Sequence, residues 1–232
     1  PFLRGDQMDS VMNYPWRELC LHYFADRTIG TDSFADDLTT LHVRYRRQVQ
    51  YAMWNLLGSH DRPRFLTLSG GDVRRLLLAS TFQFTYPGTP YIFYGDEIGM
   101  EGDDDPDCRR CMPWNKQERD EELLSHYAGL ARLRRRHSAL RRGEFTVLMA
   151  DRAEGPLVYA RWNSRGNTRA CMVVALNNTD QPASIDWELV AARMRQTGVL
   201  ARWADRPMRT VWTVGAGDRS ELAPMSARVW KV

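Results

Sequence analysis

Residues 54–58, Trp-Asn-Leu-Leu-Gly, form a short apolar run that stops abruptly at Ser59-His60-Asp61, and helical periodicity lies on either side of it. Upstream, Phe34, Leu38, Leu41, Tyr45 and Ala52 recur at helical spacing, with Ser33 as the expected N-cap and Asp36 three residues later. Downstream, Gly70-Gly71-Asp72 opens a second helix carrying Leu76, Leu77, Ser80 and Phe84, which breaks at Tyr86-Pro87-Gly88-Thr89-Pro90. A continuous apolar strand is expected next, over Tyr91–Tyr94, and residues 8–14 alternate loosely as an earlier strand halted by Pro15. Strand, helix, strand, helix, strand with near-continuous apolar strands is the pattern of a parallel sheet covered on both faces. Residues 115–137 supply one more amphipathic helix, with Asn115 as N-cap, Glu118 in the capping-box position, and Leu123, Leu124, Tyr127, Leu130 and Ala131 on one face.

The periodicity changes after Arg141-Arg142-Gly143. Phe145–Leu148, Leu157–Trp162, Ala170–Leu176 and Ala227–Val232 are short β-rich runs separated by Gly, Asn, Asp and Pro clusters. The expected division is therefore an α/β part over 1–143 and an all-β domain over 144–232.

Composition narrows the function. The chain of 232 residues is 43% apolar and 26% charged, ordinary for a globular protein and enough for one large core or two small ones. No run approaches the length of a membrane span, and Pro1-Phe2-Leu3-Arg4-Gly5-Asp6 lacks a signal-peptide pattern. The chain has no initiator Met and reads as beginning inside a larger protein, which is expected to be cytoplasmic. A net charge of +3, with no nucleic-acid-binding motif, argues against a nucleic-acid partner, and the Arg132–Arg136 run reads as a solvated helix face. Four cysteines are too few for a disulfide scaffold; Cys108-Arg109-Arg110-Cys111 has redox or half-zinc spacing, but without a second pair the better reading is reduced, structural thiols.

His60 and Asp61 stand at a strand's carboxyl end, where polar residues of an α/β sheet face a site. The same residues also suit a simple polar turn in which Asp61 bonds its own backbone. Beyond this the residues carry a resemblance. Gly58-Ser59-His60-Asp61, with Arg64 three residues on, resembles the fourth signature region of the α-amylase superfamily of glycoside hydrolases, family 13. Asp9-Ser10-Val11-Met12-Asn13-Tyr14-Pro15 is similar to the family's sixth barrel strand, and Pro90–Met100 to its eighth. The stretch Asp105-Pro106-Asp107-Cys108-Arg109-Arg110-Cys111-Met112-Pro113-Trp114 resembles the loop that follows in the neopullulanase, cyclomaltodextrinase and maltogenic amylase branch. The likeness is close over 1–143 and one of character only beyond, and it departs from many relatives at Arg62-Pro63.

The resemblance implies the C-terminal part, about strands six to eight, of a TIM (β/α)8 barrel followed by an antiparallel β-sandwich. It implies a parent that hydrolyses α-1,4 bonds of maltodextrins, cyclodextrins or pullulan with retention. Such chemistry usually needs a nucleophile and an acid/base carboxyl group about 5 Å apart. The family places these after strands four and five, and neither motif has a copy in this sequence, so the chain alone is expected to be inactive and to need the barrel segment that would precede it.

Asp61 matches the third carboxylate, which binds hydroxyls of the sugar being cleaved and stabilises the transition state. His60 would donate to the same sugar, or serve as a satisfied histidine behind it. Asp105 and Arg109 match residues that hold a neighbouring glucose unit. Tyr14 and Trp114 would either stack on sugar faces or pack. Asp96 and Glu97 also end a strand, but adjacent strand residues point to opposite sides, so they read as structural groups that bind loops or buried arginines. No metal ligands and no cofactor are evident; a calcium site is left open only for the preceding segment, and a homodimer is left open for the parent. Two rivals share these motifs: a transglycosylase or isomerase of the same superfamily, and a non-catalytic glucan-binding fragment.

Overall fold

The computed structural model describes residues 3, 7–163 and 170–232, so the amino-terminal stretch read above for a signal pattern lies, Leu3 apart, outside the described residues. Residues 8–14 contribute to the sheet only at Met12, which bridges Trp54 in parallel. The chain then turns at once into helix α1, Tyr14–Cys20, because Pro15 suits a first helical turn, where its missing N–H is no loss. A π-helical turn, Leu21–Ala25, prolongs α1. Helix α2, Thr31–Val43, starts two residues before the expected cap Ser33 and follows Gly30. The Thr31 N–H and hydroxyl bond Ala153 and Gly155 carbonyls at 2.9 and 2.8 Å, so a tertiary contact sets this helix start. The helical periodicity to Ala52 is broken, and a separate α3, Arg47–Ala52, buries Val49.

Strand β1, Trp54–Leu56, pairs in parallel with β2, Thr89–Tyr91, Trp54 lying opposite Thr89 and Leu56 opposite Tyr91. Pairing thus precedes the expected Tyr91–Tyr94 strand. Gly88 makes the entry: at φ 112° an added Cβ would meet Asn55 Nδ2 at 2.5 Å. Asn55 is wholly buried and satisfied, accepting from Asn13 Nδ2 at 2.9 Å and donating to the Pro87 carbonyl at 2.7 Å. Between the strands run α4, Phe65–Leu68, and α5, Val73–Thr85, the latter capped by Asp72 as the sequence implies, its carboxylate accepting from the Arg74 N–H at 3.0 Å.

Helix α6, Glu121–Arg136, is capped by Asp120, which accepts from the Leu123 N–H at 2.8 Å; Asn115 caps only a 3₁₀ turn, Lys116–Glu118. Its buried face carries Leu133 in place of the exposed Ala131. A short α7, Ser138–Arg142, leads to the sheet.

Strands β3 (Glu144–Met149), β4 (Leu157–Asn163) and β5 (Ala170–Asn177) precede β6 (Ala183–Ser184), helix α8 (Trp187–Gln196), β7 (Arg209–Val214), β8 (Glu221–Leu222) and β9 (Ser226–Lys231). Five of them form one antiparallel sheet in the order β3-β4-β5-β9-β7. Period-two alternation sends Tyr159, Met172, Val174, Leu176 and Val229 to the face that joins Trp16, Phe24, Phe34, Phe82 and Leu130 in one continuous core. The alternate residues Val158, Ala160, Cys171, Val173 and Trp230 pack under α8 residues Val190 and Met194, with Leu200, Trp203 and Leu222.

The expected all-β sandwich is corrected here. Among the described residues the second layer is α8 with the two-stranded β6–β8 ribbon, not a full second sheet. Two arginines with carbonyl partners close the end of α5, and the fully buried Arg161 of β4 ties it to the sheet. Arg134 donates to the Phe84 carbonyl at 2.7 Å, and Arg161 to the carbonyls of Thr85 and, at 2.9 Å, Gly143. They supply donors to the carbonyls left open at the end of α5.

Candidate active site at the strand ends

Beyond β1 the chain runs as an extended strap to Arg64, interrupted by a tight turn in which Ser59 and Arg62 bridge. The Ser59 hydroxyl stabilises the turn, accepting from the Asp61 N–H at 3.3 Å and from the Tyr14 hydroxyl at 3.2 Å. The turn is therefore closed by the Asp61 N–H on Ser59 and not by the Asp61 carboxylate on its own backbone, and that carboxylate faces other side chains.

At the apex His60 Nε2 lies 3.2 Å from Asp61 Oδ1. Arg109, from the loop after β2, places Nη2 at 3.8 Å from the same oxygen and Nε at 3.0 Å from Asp105 Oδ1. Arg109 Nε also donates to the His60 carbonyl at 2.9 Å, and the Tyr14 hydroxyl stands 3.5 Å from Asp61 Oδ2. All four residues expected at the site are thus brought to one cluster, and their side chains are half-exposed: 52% for His60, 54% for Asp61, 51% for Asp105 and 47% for Arg109. Trp114 is 80% exposed, with the Arg119 guanidinium 5.8 Å from its ring. Exposed ion pairs of this kind contribute about 0–1 kcal/mol to stability, so the rim spends its charges on something other than the fold. A carboxylate flanked by imidazole and guanidinium offers acceptors and donors spaced for neighbouring hydroxyl groups.

Beneath this rim lies a buried layer. Arg64 is fully buried and donates to Asp96 Oδ1 and the Tyr94 carbonyl at 2.8 Å each, and to the Cys108 carbonyl at 3.1 Å. Desolvation pushes the Asp96 carboxyl up to about 7, against the opposing pull of Arg64. Gly58 is dictated here, since a Cβ would meet Asp96 Oδ2 at 2.3 Å. Arg17, from α1, donates to the carbonyls of Leu57 at 2.9 Å and Pro63 at 3.0 Å, holding the strap from the other side.

Asp96 and Glu97 are structural as expected, though for a different reason than strand alternation. They sit on one 3₁₀ turn, Asp96–Ile98, where Glu97 accepts from the Gly95 N–H at 2.8 Å while Asp96 meets Arg64. Arg64 was visible in the motif, but nothing in the sequence marked Arg17. Cys20, Cys108, Cys111 and Cys171 are free, Cys108 donating to the His60 carbonyl at 3.3 Å. Among the described residues no three His, Cys, Asp or Glu side chains gather as a metal site, and no helix is long and apolar enough to cross a membrane.

Parallel strands with helical crossovers, a polar cluster at their carboxyl ends and a β-sheet domain behind them define an α/β enzyme architecture. The family model described as alpha amylase, catalytic domain, matches residues 1–143, and the chain belongs to that family of glycoside hydrolases. It is 45% identical over 185 residues to a cyclomaltodextrinase of Geobacillus thermopakistaniensis, the match covering 80% of this chain and 31% of that protein. It is 46% identical over 160 residues to neopullulanase 2 of Thermoactinomyces vulgaris, covering 69% and 27%. Among solved structures it superimposes on the cyclic α-maltosyl-(1→6)-maltose hydrolase of Arthrobacter globiformis in complex with that sugar, with a TM-score of 0.81 and 31% identity, covering 100% of this chain and 46% of that one. The chain therefore spans under half the length of these relatives, and its fold matches part of the α-amylase superfamily fold, in which a TIM barrel is accompanied by a β-sheet domain.

Proposed function

We propose that this chain supplies about strands six to eight and the following β-sheet domain of a retaining α-glucan hydrolase, with the division near Gly143. The whole enzyme would cleave α-1,4 bonds of maltodextrins, cyclodextrins or pullulan. Asp61 would bind hydroxyls of the sugar undergoing cleavage, a contact that tightens as the ring flattens toward the oxocarbenium-like transition state. His60 would donate to the same sugar, and Asp105 with Arg109 would hold its neighbour. The observation that carries this reading is the meeting of these four side chains on one half-exposed rim.

The 232 residues contain no copy of the family's nucleophile or acid motif, so by themselves they would bind glucan without cleaving it. A barrel segment as partner accords with β2 pairing only with β1 among the described residues and with the exposed Trp54 and Ile92 near the strands. The test is calorimetric titration of the chain with maltotriose, beside a reducing-sugar assay. Binding weakened about tenfold or more by Asp61→Asn, with no sugar released, is expected, since a hydrogen bond to a charged group is worth about 1.5–3 kcal/mol. Absence of binding, indifference to Asp61→Asn, or hydrolysis by these residues alone would overturn the reading.

A further inference from the structure

The rim is assembled from two segments that share no secondary structure: the strap bearing His60 and Asp61, and the loop bearing Asp105 and Arg109. At the surface they meet through the His60 carbonyl, which accepts from Arg109 Nε at 2.9 Å and from the Cys108 thiol at 3.3 Å. The first donor is half-exposed and the second is weak.

Below them Arg64 reaches everything that matters. Its backbone N–H donates to the Gly102 carbonyl at 2.8 Å, and its Nε to Cys108, the residue before Arg109. Its Nη1 bonds both Tyr94 and Asp96, and its guanidinium lies 4.6 and 5.0 Å from the ring centroids of Phe93 and Tyr94. Asp96 in turn abuts Gly58 at the start of the strap. Yet Arg64 Nη2 is buried without a partner. A buried pair with an orphaned donor is a poor way to gain stability, and such pairs are better suited to fixing register.

We infer that the buried Arg64–Asp96 pair is the positioning device of the rim, setting the loop of Asp105 and Arg109 against the turn of His60 and Asp61. As a claim about glucan binding, it rests on the reading of Asp61 and Arg109 as sugar-holding groups. Lysine cannot span the three carbonyl and carboxylate partners, so Arg64→Lys disconnects the loop while keeping the charge.

The experiment is a double-variant cycle on maltotriose binding by the chain, with histidine ring NMR signals read in parallel. Arg109→Ala is expected to weaken binding about tenfold in the wild type, but less than twofold when Arg64→Lys is already present, because Arg109 is then no longer in place. Arg134→Lys, at the half-buried arginine that serves α5, provides the control and should add independently. Of the five histidine signals, His60 should shift in Arg64→Lys while His42 and His126 stay. If Arg64→Lys does not fold, the isosteric Asp96→Asn is read in the same way. Additive effects together with an unmoved His60 signal in a folded variant would overturn the inference. If the wild type binds no maltotriose, the glucan reading falls, and the His60 signal alone decides whether the pair positions the rim.

Discussion

The parallel strands and the antiparallel sheet are built to different standards. β1 and β2 are three residues long each, their register shared with a single bridge from Met12, and their ends are held by side chains such as Asn55, Arg17 and Arg64. β4 and β5 run seven and eight residues, paired along their length and covered by apolar side chains on both faces. Stability therefore concentrates in the sheet and in the aromatic core beneath it, while the site hangs on a sparse polar scaffold. Rigidity of the rim comes from buried arginines and not from strand pairing.

The largest effects should come from the shared core. Phe82 is fully buried, stacked on Trp16 at 5.6 Å and edge-on to Tyr159 at 5.9 Å, so it belongs to both regions. Phe82→Ala should cost about 3–5 kcal/mol in urea unfolding, and the two regions should unfold in one transition. Separate transitions would break the comparison at its root. Arg161→Met ranks next. It removes the guanidinium donor from the carbonyls of Thr85, Glu144 and Gly143, the last of which keeps the Tyr51 hydroxyl, and denaturation should register a loss of about 1–3 kcal/mol.

How much of this was legible in the sequence follows the same divide. The long strands announced themselves as β-rich runs between Gly, Asn, Asp and Pro clusters, and α5 and its Asp72 cap by local chemistry. Helix α8 was missed because only Val190 and Met194 of its ten residues are buried, too weak a stripe for periodicity. Ser33 and Asn115 misled as caps because docking at Ala153 and the spare acceptor Asp120 decided the helix starts. At the site, the half-exposed residues were legible because they sit in a motif. Their support was only partly so: a buried Arg17 on a short helix looks, in sequence, like any surface arginine.

Acidity separates the site from the helices packed against the sheet by sign. Asp96, at the site, has its carboxyl raised to about 7 by burial, above its ordinary value of 3.8. Between those values the folded chain holds a proton the unfolded chain lacks, so this group stabilises the fold as pH falls from about 7 toward 4. His42 and His126, half-buried against the sheet, are lowered to about 4 from 6.5 by burial. Over most of the same window the unfolded chain holds their protons, and each weakens the fold on acidification. His137, likewise lowered by burial, acts in the same sense, so three groups oppose one and urea stability should decline from pH 7 to 5. His126→Gln should flatten that decline and Asp96→Asn should steepen it; slopes that change the other way would show that these half-buried histidines are not held neutral.

The smallest effect on stability should fall where the effect on binding is large. Arg109 pairs with Asp105 and lies near Asp61, but all three side chains are about half in water, and solvent screens what the pairs contribute. Arg109→Ala should therefore change unfolding free energy by less than about 1 kcal/mol, while reducing maltotriose affinity about tenfold. The two readouts separate because the guanidinium is half in water, where a hydroxyl-bearing ligand can replace solvent, and the strap beneath is already held by Arg17 and Arg64. A stability loss comparable to that of Arg161→Met would mean that the rim carries the strap, reversing the order of support drawn between the buried layer and the surface.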